Sequence, residues 1–121
     1  MGLLLAWNPD IIAASSTNCS HSFITAVCTN KITGISWTLV NVYGPQGRPE
    51  KLQFLADLKA VVDSAPVPVA LMGDFNLISL AADKRSANIH RGLMNAFQRF
   101  LNAAKLKDMY LHGRRYTWSN E

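Results

Sequence analysis

Asp74 and Asn76 stand two residues apart where the run Val67-Pro68-Val69-Ala70-Leu71-Met72-Gly73 stops. A carboxylate can take a proton from water or bind a hard cation, and a carboxamide can donate to a phosphate oxygen. An apolar run this short, closed by Gly, reads as a buried strand. On extended backbone residues i and i+2 point to the same side, so the pair is expected to face one pocket. Gly73 leaves room beside them for a substrate or for another backbone. Asn41 and Tyr43 end a second strand pattern, and Trp118 and Asn120 lie near a third. Amide, phenol and carboxylate gathered at strand ends suit the hydrolysis of a phosphate ester. Each residue also has an ordinary structural role: Tyr43 as a strand-end aromatic, Trp118 as core, Asn41 and Asn120 as backbone or turn partners. Taken singly, those roles suffice.

The elements that must position these groups follow from periodicity. Over residues 35–43, Ile35, Trp37, Leu39, Asn41 and Tyr43 alternate with Ser36, Thr38, Val40 and Val42, which predicts a strand with two distinct faces. Residues 22–29 form a second strand, joined to the first by a turn over 30–34, and 15–20 read as a polar connection after the apolar run 2–7 and the turn signal Asn8-Pro9-Asp10. Gly44-Pro45-Gln46-Gly47 breaks the chain, and a helix follows with Pro49 in its first turn and Glu50 placed well for the dipole. Leu52, Leu55, Leu58 and Val62 make its apolar stripe, widened by Phe54 and Val61. Strand, helix and strand in that order predict a parallel or mixed pairing of 35–43 with 67–72. A loop then runs to residue 87, and a helix over 88–104 carries Leu93, Phe97, Phe100, Leu101 and Ala104 on one face. A short strand over 107–111, a basic turn over 113–115 and a strand from 116 complete the pattern.

A chain of 121 residues is a single-domain length. With 49% hydrophobic and 17% charged residues it is globular rather than disordered. The net charge of +4 is uneven: residues 77–121 hold eight Lys or Arg against three Asp or Glu, residues 1–76 four against five. A basic second half is compatible with a nucleic acid partner, as it is with a solvated helix face. Cys19 and Cys28 are too few for a disulfide framework, the run 2–7 is too short for a signal peptide or membrane span, and Ala6 spoils a myristoylation motif. The expectation is an intracellular, soluble protein without a membrane partner. His21, His90 and His112 have no ligand-like spacing with Asp, Glu or Cys, so no metal ligand is assigned.

Asn41-Val42-Tyr43-Gly44-Pro45, Gly73-Asp74-Phe75-Asn76 and Arg115-Tyr116-Thr117-Trp118-Ser119-Asn120 stand in the order found in endonuclease/exonuclease/phosphatase (deoxyribonuclease-I-like) domains. The chain resembles most the apurinic-type endonuclease domains of plant LINE-type (non-LTR) retrotransposons, from Gly2 through Asn120. The resemblance implies a four-layer α/β sandwich of two mixed sheets with outer helices, and Mg²⁺- or Mn²⁺-dependent hydrolysis of phosphate esters, DNA above all. It implies that Asp74 orients or activates water, that Asn76 holds the scissile phosphate, and that Tyr43 contacts it. Trp118 would pack beneath the site, with Asn41 and Asn120 as further contacts. The family's metal-binding Glu and early Asn, its later Asp and its Ser-Asp-His segment have no matching motif here; neither Glu50 nor His112 sits in one. The expectation is therefore a partial domain over 1–121, incomplete at both ends, inactive alone, and poorly soluble through its uncovered edges. Two other readings stay open: a non-catalytic nucleic-acid-binding or interaction remnant of such an element, and a phosphatase-like member of the same fold acting on small substrates.

Overall fold

The computed structural model describes residues 3–77 and 91–107. The chain forms two compact units, residues 1–76 and 77–121. The first holds β1 (Ile12–Cys19), β2 (Phe23–Asn30), β3 (Ser36–Tyr43), α1 (Arg48–Ser64) and β4 (Val69–Asp74). The strands make one sheet in the order β1-β2-β3-β4, antiparallel for the first two pairs and parallel for β3 with β4. The fold is thus mixed α/β with a mixed sheet, as the strand–helix–strand pattern predicts.

The turn between β2 and β3 is closed by its own polar residues. Asn30 Oδ1 accepts the backbone N–H groups of Ile32 (2.8 Å) and Thr33 (3.1 Å), and Gly34, at φ 77, donates to the Asn30 carbonyl (2.8 Å). Residues 15–20, expected as a connection, instead lie largely within β1. Their backbone pairs with β2 from Ser16↔Val27 to Cys19↔Ile24, after a bulge at Ser15. A strand at the sheet's edge needs little apolar surface, so its pairing overrides its polar composition. The turn that follows is made by Ser20, whose Oγ accepts from the N–H groups of Ser22 and Phe23, each at 3.3 Å. The apolar run 3–7 is not a strand.

Residues paired directly across a ladder share a face, so the register sorts the side chains. Thr38, Val40 and Val42 of β3 stand with Val69, Leu71 and Gly73 of β4; Leu39, Asn41 and Tyr43 stand with Ala70, Met72 and Asp74. On the first face Val40 and Val42 are sealed, at 0% and 1% exposure. The helix joining parallel neighbours must cross one face of their sheet, and α1 buries Phe54, Leu55 and Leu58. Its stripe is rotated from the expected one: Leu52 is 46% exposed. At about 100° per residue, Lys51, Phe54, Leu55 and Leu58 share a stripe that leaves Leu52 off to one side. The expectation of a fully buried β4 is also overturned. Val69 and Leu71 are half-buried, while Ala70 and Met72 are exposed, Met72 by 50%. β4 pairs only with β3 among the described residues, and the run of Val, Ala, Leu and Met conceals that its two faces differ.

In the second unit α2 (Arg91–Ala103) buries Leu93, Met94, Phe97 and Phe100, with the rings of Phe97 and Phe100 stacked at 6.3 Å. Arg91 and Arg99 are exposed. The strand expected over 107–111 (beyond Lys107), the strand expected from 116, the basic turn between them and the start of the expected helix at 88–90 lie outside the described residues. Among the described residues no helix is long and apolar enough to cross a membrane.

Candidate functional site at the ends of β3 and β4

Because β3 and β4 run parallel, their C-terminal ends lie side by side. The register sets Asn41 against Met72 and Tyr43 against Asp74. Tyr43, Asp74 and Asn41 therefore emerge on one sheet face, with Tyr43 and Asp74 immediate cross-strand neighbours. Asp74 is exposed; Asn41 and Tyr43 are half-buried.

Asn76 reaches this group by a different route from the one its spacing suggests. The backbone is not extended through it: its φ is 53, in the left-handed region. Asp74 Oδ1 accepts the Asn76 backbone N–H at 2.9 Å, the bond by which a carboxylate turns its own chain two residues on. Asn is among the few side-chain-bearing residues that tolerate such a φ. The Asn76 Nδ2 donates to the Gly44 carbonyl, and the Gly44 N–H donates to the Asp74 carbonyl at 2.7 Å. These reciprocal bonds lock the turn after β4 to the turn after β3. One Nδ2 hydrogen and the Oδ1 of Asn76 lie outside that lock.

Gly73 has a φ of 117, and a methyl group there would collide with the backbone of Val42 and lie 3.0 Å from Asn41 Oδ1. The room that Gly73 leaves is thus taken by another backbone. Asn41 donates from Nδ2 to the Leu4 carbonyl at 2.9 Å, which ties the run 3–7 to β3 and leaves one of its amide hydrogens outside that bond.

Sequence reasoning missed Lys51. Its Nζ donates 2.7 Å to the Asn76 carbonyl, and three residues along the helix Phe54 meets the Phe75 ring edge-on, centroids 6.3 Å apart at 60°. The signal was present: a lysine centred on an apolar stripe is misplaced unless its ammonium has an oxygen to reach.

Trp118 and Asn120 lie outside the described residues, so Tyr43, Asp74, Asn76 and Asn41 are the expected site residues that the structure brings together. They offer a carboxylate able to orient or deprotonate water, and phenol and amide donors able to meet phosphate oxygens. Among the described residues no three His, Cys, Asp or Glu side chains gather. Asp74 is the one carboxylate of this cluster among the described residues, and its Oδ1 accepts the Asn76 N–H. No family model matches the chain, and no curated protein matches it.

Proposed function

We propose that this chain carries part of a phosphodiester-hydrolysing site of the endonuclease/exonuclease/phosphatase kind, which binds the DNA backbone and does not turn over unaided. The observation that carries the reading is the pairing of Tyr43 with Asp74 at the ends of two parallel strands, with the Asp74 carboxylate itself folding Asn76 in beside them. In this reading Asp74 orients the attacking water, while Tyr43 and the outlying Asn76 amide hydrogen meet the phosphate oxygens as charge grows on them. The sheet is one half of the four-layer sandwich, with the second sheet belonging on the face of Leu39, Ala70 and Met72, where β4 is open. In that family a divalent ion supplies charge neutralisation at the phosphate. The carboxylates and the Ser-Asp-His segment that act with it have no counterpart motif in these 121 residues, and such groups act as a unit. DNA is favoured over phosphoinositides and phosphomonoesters by the basic balance of residues 77–121 together with the segment Tyr116-Thr117-Trp118-Ser119-Asn120, which resembles the nuclease members. A LINE-type mobile element is the source the resemblance points to.

Binding to short duplex DNA and nicking of supercoiled DNA with Mg²⁺ test this together. We expect no nicking above background and an affinity that falls as salt rises. Tyr43→Phe weakens binding, whereas Asp74→Asn binds as well or better because a carboxylate no longer faces the phosphates. Nicking that Asp74→Ala abolishes would overturn the claim of inactivity. Binding indifferent to salt, or to Tyr43→Phe, would remove the site from the account; the latter would leave the non-catalytic nucleic-acid-binding reading.

A further inference from the structure

Lys51 occupies the first turn of α1, where the helix dipole opposes a positive charge. It also lies on the stripe that buries Phe54, Leu55 and Leu58. Both placements work against an ammonium group, and among the described residues no carboxylate pairs with it. What it has is the Asn76 carbonyl, 2.7 Å from Nζ. Phe54, on the same stripe, meets Phe75, the residue before. The helix therefore grips the turn after β4 at two successive residues, one contact apolar and one charged. The charged contact falls on the residue that carries the turn's left-handed φ of 53.

We infer that Lys51 is a positioning residue, which holds the Asp74–Phe75–Asn76 turn from behind in the arrangement that a phosphate ester meets. The inference rests on the proposed function for the role of that turn. Its ammonium serves a backbone carbonyl rather than the ligand, so its contribution is geometric. Replacing it should loosen Asn76, and with it the amide donor, without removing a phosphate contact.

Two measurements on the full chain test this with Lys51→Met, Lys51→Arg and, as a charge control on the same helix, Lys59→Met. The first is hydrogen exchange across residues 74–77, read against β3. The second is affinity for a short duplex DNA as a function of salt. Lys51→Met is expected to speed exchange in the turn at least about tenfold with β3 unchanged. It should weaken DNA binding by about five- to tenfold, with the slope of log affinity on log salt unchanged. Lys51→Arg should restore both, and Lys59→Met should leave turn exchange alone. A slope that falls by about one would make Lys51 a direct phosphate contact and overturn the positioning role. Unchanged exchange in Lys51→Met, with DNA still bound by the unmodified chain, would overturn the inference alone. Failure of the unmodified chain to bind DNA would overturn the proposed function, and the role of Lys51 with it, even where the exchange result holds.

Discussion

Gly73→Ala is the substitution on which the geometry of the site can be tested most directly. At φ 117 an L-residue is strained, which costs about 1–2 kcal/mol by analogy with the left-handed region. The added methyl also meets the Val42 backbone, its nitrogen at 2.9 Å and its oxygen closer still, and lies 3.0 Å from Asn41 Oδ1. A backbone cannot swing aside as a side-chain tip can, so β4 must move off β3, at about 1–3 kcal/mol for overpacking. Together these predict a loss of about 3 kcal/mol. Gly34→Ala supplies the comparison: its φ is 77, but nothing lies within 4 Å of the new methyl, so only the backbone strain of about 1 kcal/mol applies. The difference isolates the close approach of the strands. Urea unfolding followed by tryptophan fluorescence reads it as a midpoint lowered by about 1–2 M relative to Gly34→Ala, with the slope unchanged. Since the shifted pair Val42↔Gly73 lies between Asn41↔Met72 and Tyr43↔Asp74, DNA binding should weaken alongside. If Gly73→Ala loses no more stability than Gly34→Ala, then the contact between β3 and β4 is not what fixes the site.

Two further outcomes are expected. Asn76→Gly keeps the left-handed φ and loses only the Nδ2 bond to Gly44, whereas Asn76→Ala loses both; thermal unfolding should rank Ala below Gly by about 1 kcal/mol, and the reverse order would contradict the assigned conformation. Burial raises the Cys28 thiol above its ordinary value, so the folded state holds that proton when the unfolded state has released it. The corresponding stability is present in full below the unfolded thiol's range and is lost as pH rises through it towards the folded value. Cys28→Ala should therefore flatten the decline in stability above about pH 9, and an unaltered decline would contradict it.

The features legible in the sequence were those that depend on local pattern. The alternation through Ile35–Tyr43 names both faces of β3 correctly, and the order of Tyr43, the helix and Asp74 is enough to anticipate a parallel pairing. What depended on neighbours was not legible. Ser16, Thr17 and Asn18 belong to a strand because β2 pairs with them, which composition does not record. Leu52 and Lys51 exchange places on the helix because the stripe is set by where the sheet lies, and periodicity alone does not choose between adjacent residues. Asn76 joins Asp74 through a carboxylate-capped turn; the i, i+2 spacing led to the right pair by way of the wrong backbone.

The parallel pairing of β3 with β4 also orders events in time. β1 joins β2 and β2 joins β3 across turns of a few residues, so these hairpins close quickly and with little loss of chain entropy. Tyr43 and Asp74 are 31 positions apart, and they meet only after α1 has formed and β4 has docked. Non-local pairings of this kind form late. In a chain emerging from the ribosome, the strand that bears Asn41 and Tyr43 would be free to pair with β2 before the residues that complete the cluster had emerged. Opening at the β4 side of the sheet would part Tyr43 from Asp74 while β1, β2 and β3 stay paired. The cluster thus exists only while that one strand is docked.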